Sequence, residues 1–99
     1  MTNIEIKVLI LRRRAQMLVH SYIYYEMDQN IVSDDTWQDW AEQLHQLQVD
    51  NPKLCKIGYY DKDFADWDGT TGNHLPRTIS IEGLAKQVLN SYNMEMKNV

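Results

Sequence analysis

A cluster of aromatic and acidic side chains between residues 22 and 37 is the part of this chain best suited to binding chemistry. Its members are Tyr22, Tyr24, Tyr25, Asp28, Asp34 and Trp37. Aromatic faces stack on flat rings, and carboxylates accept hydrogen bonds from polar groups of a ligand. Aromatic residues at helical spacing also suit the core of a small domain, which is their more frequent use. Core packing and a ligand pocket are therefore both open interpretations of the cluster.

Helical periodicity places the tyrosines on a long first helix, predicted over about residues 3–28. Apolar residues recur at steps of three and four along one stripe: Ile4, Val8, Leu11, Ala15, Leu18, Tyr22 and Tyr25. Ile10, Met17 and Tyr24 flank this stripe and widen it, as expected for a helix that contacts two neighbours. The stripe is the predicted packing face of the helix.

A second helix is predicted over about residues 34–50 and places Asp34 and Trp37 beside the tyrosines. Ser33 is a suitable N-cap, and carboxylates in the first turn favour the positive end of the helix dipole. The predicted apolar face of this helix consists of Trp37, Trp40, Ala41, Leu44 and Leu47, and Asn51 and Pro52 end the helix. Because the break between the helices is short, an antiparallel hairpin is expected.

The rest of the chain is predicted to be an irregular segment followed by a third helix. Residues 55–78 lack helical periodicity and are rich in Tyr, Asp and Gly; residues 57–60 and 78–81 are candidates for a short β-ribbon. Ser80 is a candidate cap for a C-terminal helix over about residues 81–95, whose repeating face is Ile81, Leu84, Ala85, Val88, Leu89 and Tyr92. The whole chain, residues 1–99, is thus predicted to be one small all-α domain.

Residues 8–54 resemble the N-terminal Ia domain of bacterial NAD-dependent DNA ligases. That family shows a Tyr-x-Tyr-[Tyr/His]-x-x-Asp pattern, then an Ile-[Ser/Pro]-Asp step, a Tyr-Asp pair and an acidic helix that ends in Pro. The matching features here are an Arg-rich first helix, Tyr22, Tyr24, Tyr25, Asp28, Ser33, Asp34, Leu44, Leu47 and the Asn51–Leu54 segment. The resemblance implies the same helical hairpin. The chain is also similar to small free-standing proteins of phage or prophage type.

In such ligases this domain recognises the nicotinamide mononucleotide (NMN) half of NAD through an aromatic stack and polar contacts. The resemblance therefore implies a possible NAD or NMN site, with no cofactor required, formed by Tyr24, Tyr25, Asp34, Trp37 and Gln38. Two of these positions depart from the family pattern, since Trp37 replaces its Tyr and Gln38 replaces its Asp. Tryptophan retains a stacking face but has no phenol oxygen, and glutamine offers no carboxylate.

The charge distribution supports a different hypothesis. The chain has a net charge of −4, and residues 26–50 hold seven acidic residues and no Lys or Arg. An acidic helix repels nucleic acid but can contact a basic protein surface. The alternative function is therefore a phage-encoded inhibitor or adaptor that binds a host protein, such as a defence nuclease, through Asp35, Asp39, Glu42 and Trp67. Exposed aromatic residues of the loop would equally suit a homodimer.

Other classes of function receive little support from the sequence. Arg12, Arg13 and Arg14 point in different directions around a helix, so direct DNA binding is disfavoured. The adenylation motif of the ligases is missing and the histidines are scattered, so neither an enzyme nor a metal site is expected. The sequence lacks an apolar run of membrane-spanning length and a signal peptide, which favours a cytoplasmic protein without membrane contact. Cys55 is the single cysteine and is interpreted as an unreactive thiol.

Overall fold

The computed structural model describes residues 1–97 and consists of three α-helices and one short 3-10 turn. Helix α1 spans Asn3–Glu26, α2 spans Asp34–Asp50, the 3-10 turn spans Pro52–Leu54, and α3 spans Ile79–Lys97. The predicted all-α fold is confirmed. The predicted β-ribbon is wrong, because residues 1–97 contain no strand. The two segments are instead linked through side chains, with the Tyr60 hydroxyl 3.0 Å from Thr78 Oγ1.

Side-chain caps explain where the helices begin. Thr2 and Glu5 form a reciprocal capping box at the start of α1, and Ser33 Oγ accepts from the backbone N–H of Thr36 at the start of α2. The Ser33 cap agrees with its prediction. The Ser80 cap does not: α3 begins two residues earlier than predicted, and Thr78 Oγ1 accepts from the N–H of Ile81. Ser80 lies inside the first turn of the helix.

The buried face of α1 differs from the predicted stripe. Ile4, Val8 and Leu11 are 74%, 49% and 40% exposed, whereas the residues with the lowest exposure lie on a line rotated from them. That line consists of Ile10, Arg14, Met17, Leu18 and Ser21, while Val19 and Ile23 are buried on another side, against α3. Leu18 belongs to the predicted stripe, and Ile10 and Met17 belong to its predicted flanks. The apolar pattern was misleading because the most interior line of the helix contains an arginine.

The irregular segment fills the space beside the helical hairpin. Phe64, Trp67 and Leu75 are 0%, 5% and 3% exposed and belong to the same core cluster as Met17 and Leu44. A second, smaller cluster joins α1 to α3 through Val19, Ile23 and Ala85. Phe64 and Trp67 therefore anchor the irregular segment to the hairpin.

Arg14 is almost completely buried, at 1% exposure, and its guanidinium joins three parts of the chain. Its Nε donates to Gln48 Oε1 of α2 at 2.9 Å, and Nη2 donates to the Cys55 carbonyl at 2.9 Å. Its Nη1 donates to both the Tyr59 carbonyl at 2.8 Å and Asp61 Oδ1 at 2.7 Å. The planar fork thus fixes the start of the irregular segment against the hairpin.

Asp61 completes this network from the loop side. Its carboxylate accepts from the backbone N–H groups of Ile57, Gly58 and Tyr59 as well as from Arg14. Partial desolvation acts to raise the pKa of Asp61, but the bonds from Arg14 and the three N–H groups outweigh it, so the pKa is lowered. The segment therefore wraps around an ionised carboxylate that is held by a buried cation.

Replacement of Arg14 tests whether this network holds the fold together. Arg14→Leu leaves Asp61, Gln48 and two carbonyls without their donor, so we expect a loss of about 3 kcal/mol in the free energy of unfolding. Arg12→Leu, at an exposed position two residues earlier, is the control and is expected to change stability by less than about 0.5 kcal/mol. Urea unfolding followed by circular dichroism measures both. Equal losses in the two variants would contradict the assigned role of Arg14.

Candidate ligand pocket

A cavity of about 240 Å³ lies where the end of α1 meets the start of α2. The α1–α2 connector, residues 27–33, and the loop at residues 70–72 close its other sides. The side chains on its walls are those of His20, Ser21, Ile23, Tyr24, Tyr25, Gln29, Asn30, Ile31, Val32, Asp34, Trp37, Gln38, Thr70 and Thr71, together with Gly72. Residues from four consecutive parts of the fold therefore meet at one site.

All five residues predicted to bind a nucleotide line this cavity. Tyr24 and Tyr25 lie on the last turn of α1, and Asp34, Trp37 and Gln38 share one face at the start of α2. Positions separated by three and four residues lie on the same side of a helix, which explains why Asp34, Trp37 and Gln38 converge. The structure brings the predicted set together.

The aromatic walls of the cavity differ in how accessible they are. Tyr24 and Tyr25 are 55% and 44% exposed, and their rings meet edge-to-face with centroids 4.9 Å apart. Trp37 is half-buried, and its ring lies 6.4 Å from that of Trp67 in a similar T-shaped contact. The tyrosines thus offer open ring faces, whereas Trp37 forms part of both the pocket wall and the core packing.

Gln38 has a structural partner at the cavity wall. Its Nε2 donates to the Gly69 carbonyl at 3.0 Å and to Glu42 Oε1 at 3.3 Å. An aspartate at this position would have no N–H to offer the carbonyl. The glutamine therefore holds the loop onto α2 with a bond that the carboxylate of the family pattern cannot make.

The Asp68–Gly72 loop approaches the hairpin closely. Gly69 has a positive φ of 80°, and a Cβ at this position would lie 3.1 Å from the Ala41 carbonyl oxygen. Trp67 Nε1 donates to the same oxygen at 3.0 Å, and Asp68 Oδ1 accepts from the N–H and hydroxyl of Thr70. Gly69 therefore occupies a turn that requires glycine, and the following residues of the loop form a wall of the pocket.

Ser21 contributes a buried hydroxyl to the cavity wall. The residue is 5% exposed, and its Oγ has no hydrogen-bond partner within the described part of the chain, residues 1–97. A buried hydroxyl without a partner is unfavourable. Ser21 Oγ is therefore an enclosed part of the cavity wall, next to Gly72, and is not open to the cavity.

The histidines have separate environments. The ring of His20 lies 5.4 Å from that of Trp40, and burial lowers the pKa of His20, which favours the neutral form. His45 Nδ1 is 2.9 Å from the Trp67 carbonyl oxygen, and His74 lies beside the Trp67 ring. Within the described residues no group of three or more His, Cys, Asp or Glu side chains converges as metal ligands do.

The residues predicted to bind a partner protein do not form one surface. Asp35, Asp39 and Glu42 are exposed on α2, but Trp67 is only 5% exposed. The assignment of Trp67 to a partner-binding surface is therefore wrong in this fold, because its ring packs on Phe64 and its indole N–H is bonded to Ala41. Burial of Phe64 and Trp67 also removes them from the homodimer surface considered for the loop.

Some lining residues were missed by sequence reasoning. Ser21 precedes Tyr24 and Tyr25 by three and four positions, so helical spacing alone could have placed it beside them. Thr70, Thr71 and Gly72 carry no such signal, because they reach the hairpin through contacts that are distant in sequence. A glycine at residue 72 is required by the close approach of Ser21 and Trp37.

Comparison of the chain with protein-family models, curated proteins and solved structures finds no significant match. Over residues 1–97, none of the helices has the length and apolar character needed to cross a membrane.

Gly72→Ala tests the packing of the loop against the hairpin. A Cβ at Gly72 would overlap Ser21 Oγ and lie 3.3 Å from Trp37 Cζ2, so we expect destabilisation of about 1–3 kcal/mol. The loss should be smaller when Ser21 is also replaced by alanine. Gly83→Ala is the matched control, because a Cβ there meets nothing within 4 Å in α3, and a gain of about 0.5–1 kcal/mol is expected. Thermal unfolding of the four proteins separates steric overlap from a general effect of alanine.

Proposed function

We propose that this protein is a non-catalytic binding protein whose cavity holds a nicotinamide nucleotide. The observation that carries the proposal is the convergence of Tyr24, Tyr25, Asp34, Trp37 and Gln38 on one cavity. They are the positions at which the resemblance to the ligase Ia pattern implies a nucleotide site.

The dimensions of the cavity limit how much of the nucleotide is enclosed. Its volume of about 240 Å³ is slightly below the roughly 300–1,000 Å³ common for small-molecule sites. This space suits a nicotinamide ring and its ribose, with the remainder of NMN or NAD outside. The tyrosines supply the stacking surface, and Asp34 supplies a polar contact for the carboxamide or the ribose hydroxyls.

Titration of Tyr24 variants tests the pocket directly. We expect calorimetry to detect NMN and NAD binding at millimolar ligand, with Tyr24→Leu about tenfold weaker because the stacking face is lost. Tyr24→Phe keeps the ring and is the matched control, expected within about twofold of the natural protein. Since Tyr24 is 55% exposed, neither change should unfold the chain. Absence of binding heat for both ligands would remove the nucleotide proposal.

A second candidate function uses the acidic side of α2. Asp35, Asp39 and Glu42 follow one another at steps of four and three, are exposed, and form no ion pair with another described residue. Unpaired carboxylates along one line of a helix suit a basic protein surface. On this proposal the protein is a cytoplasmic inhibitor or adaptor that binds a host protein, such as a defence nuclease, and the fold acts as a scaffold.

Charge reversal distinguishes a binding surface on α2 from an acidic helix that only keeps the protein in solution. Capture of a host protein from lysate should be lost when Asp35, Asp39 and Glu42 are all changed to Lys. Reversal of Asp63, Asp66 and Glu95, which are exposed elsewhere, supplies a control with the same change in net charge. Capture that falls equally in both triple variants would argue for a general charge effect and against the α2 surface.

A further inference from the structure

The charge of the pocket lining is the feature that the proposed function leaves unexplained. Among the described residues that line the cavity, Asp34 is the only carboxylate, and none is Lys or Arg. His20 is the one other ionisable group of basic character, and burial favours its neutral form by lowering its pKa. The lining therefore carries one negative charge and no permanent positive charge to pair with a phosphate.

Charged groups just outside the lining do not reverse this balance. Arg77 is the cation nearest to the tyrosines by observed contact, with its guanidinium 5.5 Å from the ring centre of Tyr25. That guanidinium is paired with Glu26 at 2.8 Å and also donates to the Asn73 carbonyl. Its charge is thus largely neutralised by a neighbour.

The N-terminus of α2, which borders the cavity, is also poorly suited to a phosphate. Helix N-termini attract anions through free backbone N–H groups and the helix dipole. Here the N–H of Thr36 is already bonded to Ser33, and Asp34 and Asp35 place two carboxylates in the first turn. An incoming phosphate would meet like charge at the point where a helix would otherwise attract it.

The walls suit a cation instead. Aromatic faces carry negative electrostatic potential and attract a positively charged ring or ammonium group. One face of Tyr25 already receives the Arg77 guanidinium, so Tyr24, which is 55% exposed, is the tyrosine assigned to the ligand. Asp34, exposed at the edge of the same cavity, adds a complementary charge.

We propose that the pocket recognises the positive charge of an oxidised nicotinamide nucleoside and leaves the phosphate of the nucleotide without a protein contact. This inference rests on the proposed nicotinamide pocket and specifies which part of the ligand provides the affinity. It predicts that a nucleoside with a neutral ring of similar shape binds more weakly than the cationic nucleoside. It also predicts that adding a phosphate to the cationic nucleoside does not increase the affinity. A reduced nicotinamide ring, which is neutral, belongs to the weaker class.

Three ligands separate these contributions in calorimetric titrations of the full chain. Nicotinamide riboside carries the cationic ring, benzamide riboside is its neutral planar counterpart, and NMN adds the phosphate to the cation. We expect nicotinamide riboside to bind about tenfold more tightly than benzamide riboside, from the combined ring and carboxylate attraction. NMN is expected to bind no more tightly than nicotinamide riboside.

Two first-turn variants provide the matched comparison. Asp34→Asn removes the carboxylate at the cavity and should reduce the preference for the cationic nucleoside to about threefold or less. Asp35→Asn removes a neighbouring carboxylate that does not line the cavity, and the preference should persist. Both changes remove one charge from the same helix turn, so circular dichroism of the pair controls for any loss of helix stability.

The outcomes separate this inference from the function on which it rests. Equal affinity for the two ribosides, or an equal effect of Asp34→Asn and Asp35→Asn on their ratio, would overturn recognition of the charge. NMN binding at least about fivefold tighter than nicotinamide riboside would also overturn the inference, because a phosphate contact worth about 1 kcal/mol would be required, but the nucleotide pocket would stand. If none of the three ligands binds at millimolar concentration, both proposals fail.

Discussion

The buried guanidinium of Arg14 is the interaction on which the rest of this fold depends. A small domain has little apolar core, and an arginine at its centre is tolerated only if its charge and donors are matched. Here the matching groups come from outside α1: a carboxylate, a glutamine on α2 and two loop carbonyls. The guanidinium also lies over the Phe64 ring, 5.6 Å from its centre. An irregular segment that makes no strand thereby acquires a fixed position, since its backbone carbonyls serve as the partners of a buried cation.

The position of that segment determines the shape of the pocket wall at residues 70–72. Gln48, which accepts from Arg14, also donates to the Phe64 carbonyl, and Phe64 packs against Trp67. The indole N–H of Trp67 bonds to the Ala41 carbonyl, against which Gly69 is closely packed. Gln38 then holds the Gly69 carbonyl, and the following residues close the cavity. A continuous series of contacts thus joins the core cation to the wall that faces Trp37 and Ser21.

Sequence reasoning succeeded where the determining interactions are local. The Ser33 cap, the hairpin and the convergence of Asp34, Trp37 and Gln38 all depend on residues three or four apart. It failed for the packing face of α1, because hydrophobicity treats Arg14 as a surface residue and the partners that permit its burial lie 34 to 47 positions away. Trp67 was assigned to the surface for the same reason: its partner, the Ala41 carbonyl, is a backbone group that no side-chain pattern reveals. The loop wall at Gly72 is likewise a tertiary contact, although the glycine itself is explained once Ser21 is seen beside it.

Gln38 shows how a departure from a family pattern can be a requirement of the fold. A carboxylate at this position would place a second negative charge beside Asp34 and would lose the bond to the Gly69 carbonyl, so the loop would be held less firmly. Glutamine restores that bond and leaves Asp34 as the one ionised group of the described lining. The same substitution therefore stabilises the wall of the cavity and concentrates its negative charge at the rim. On the proposed function, selectivity for a cationic ring would come from aromatic faces and a single carboxylate in a site with few competing charges.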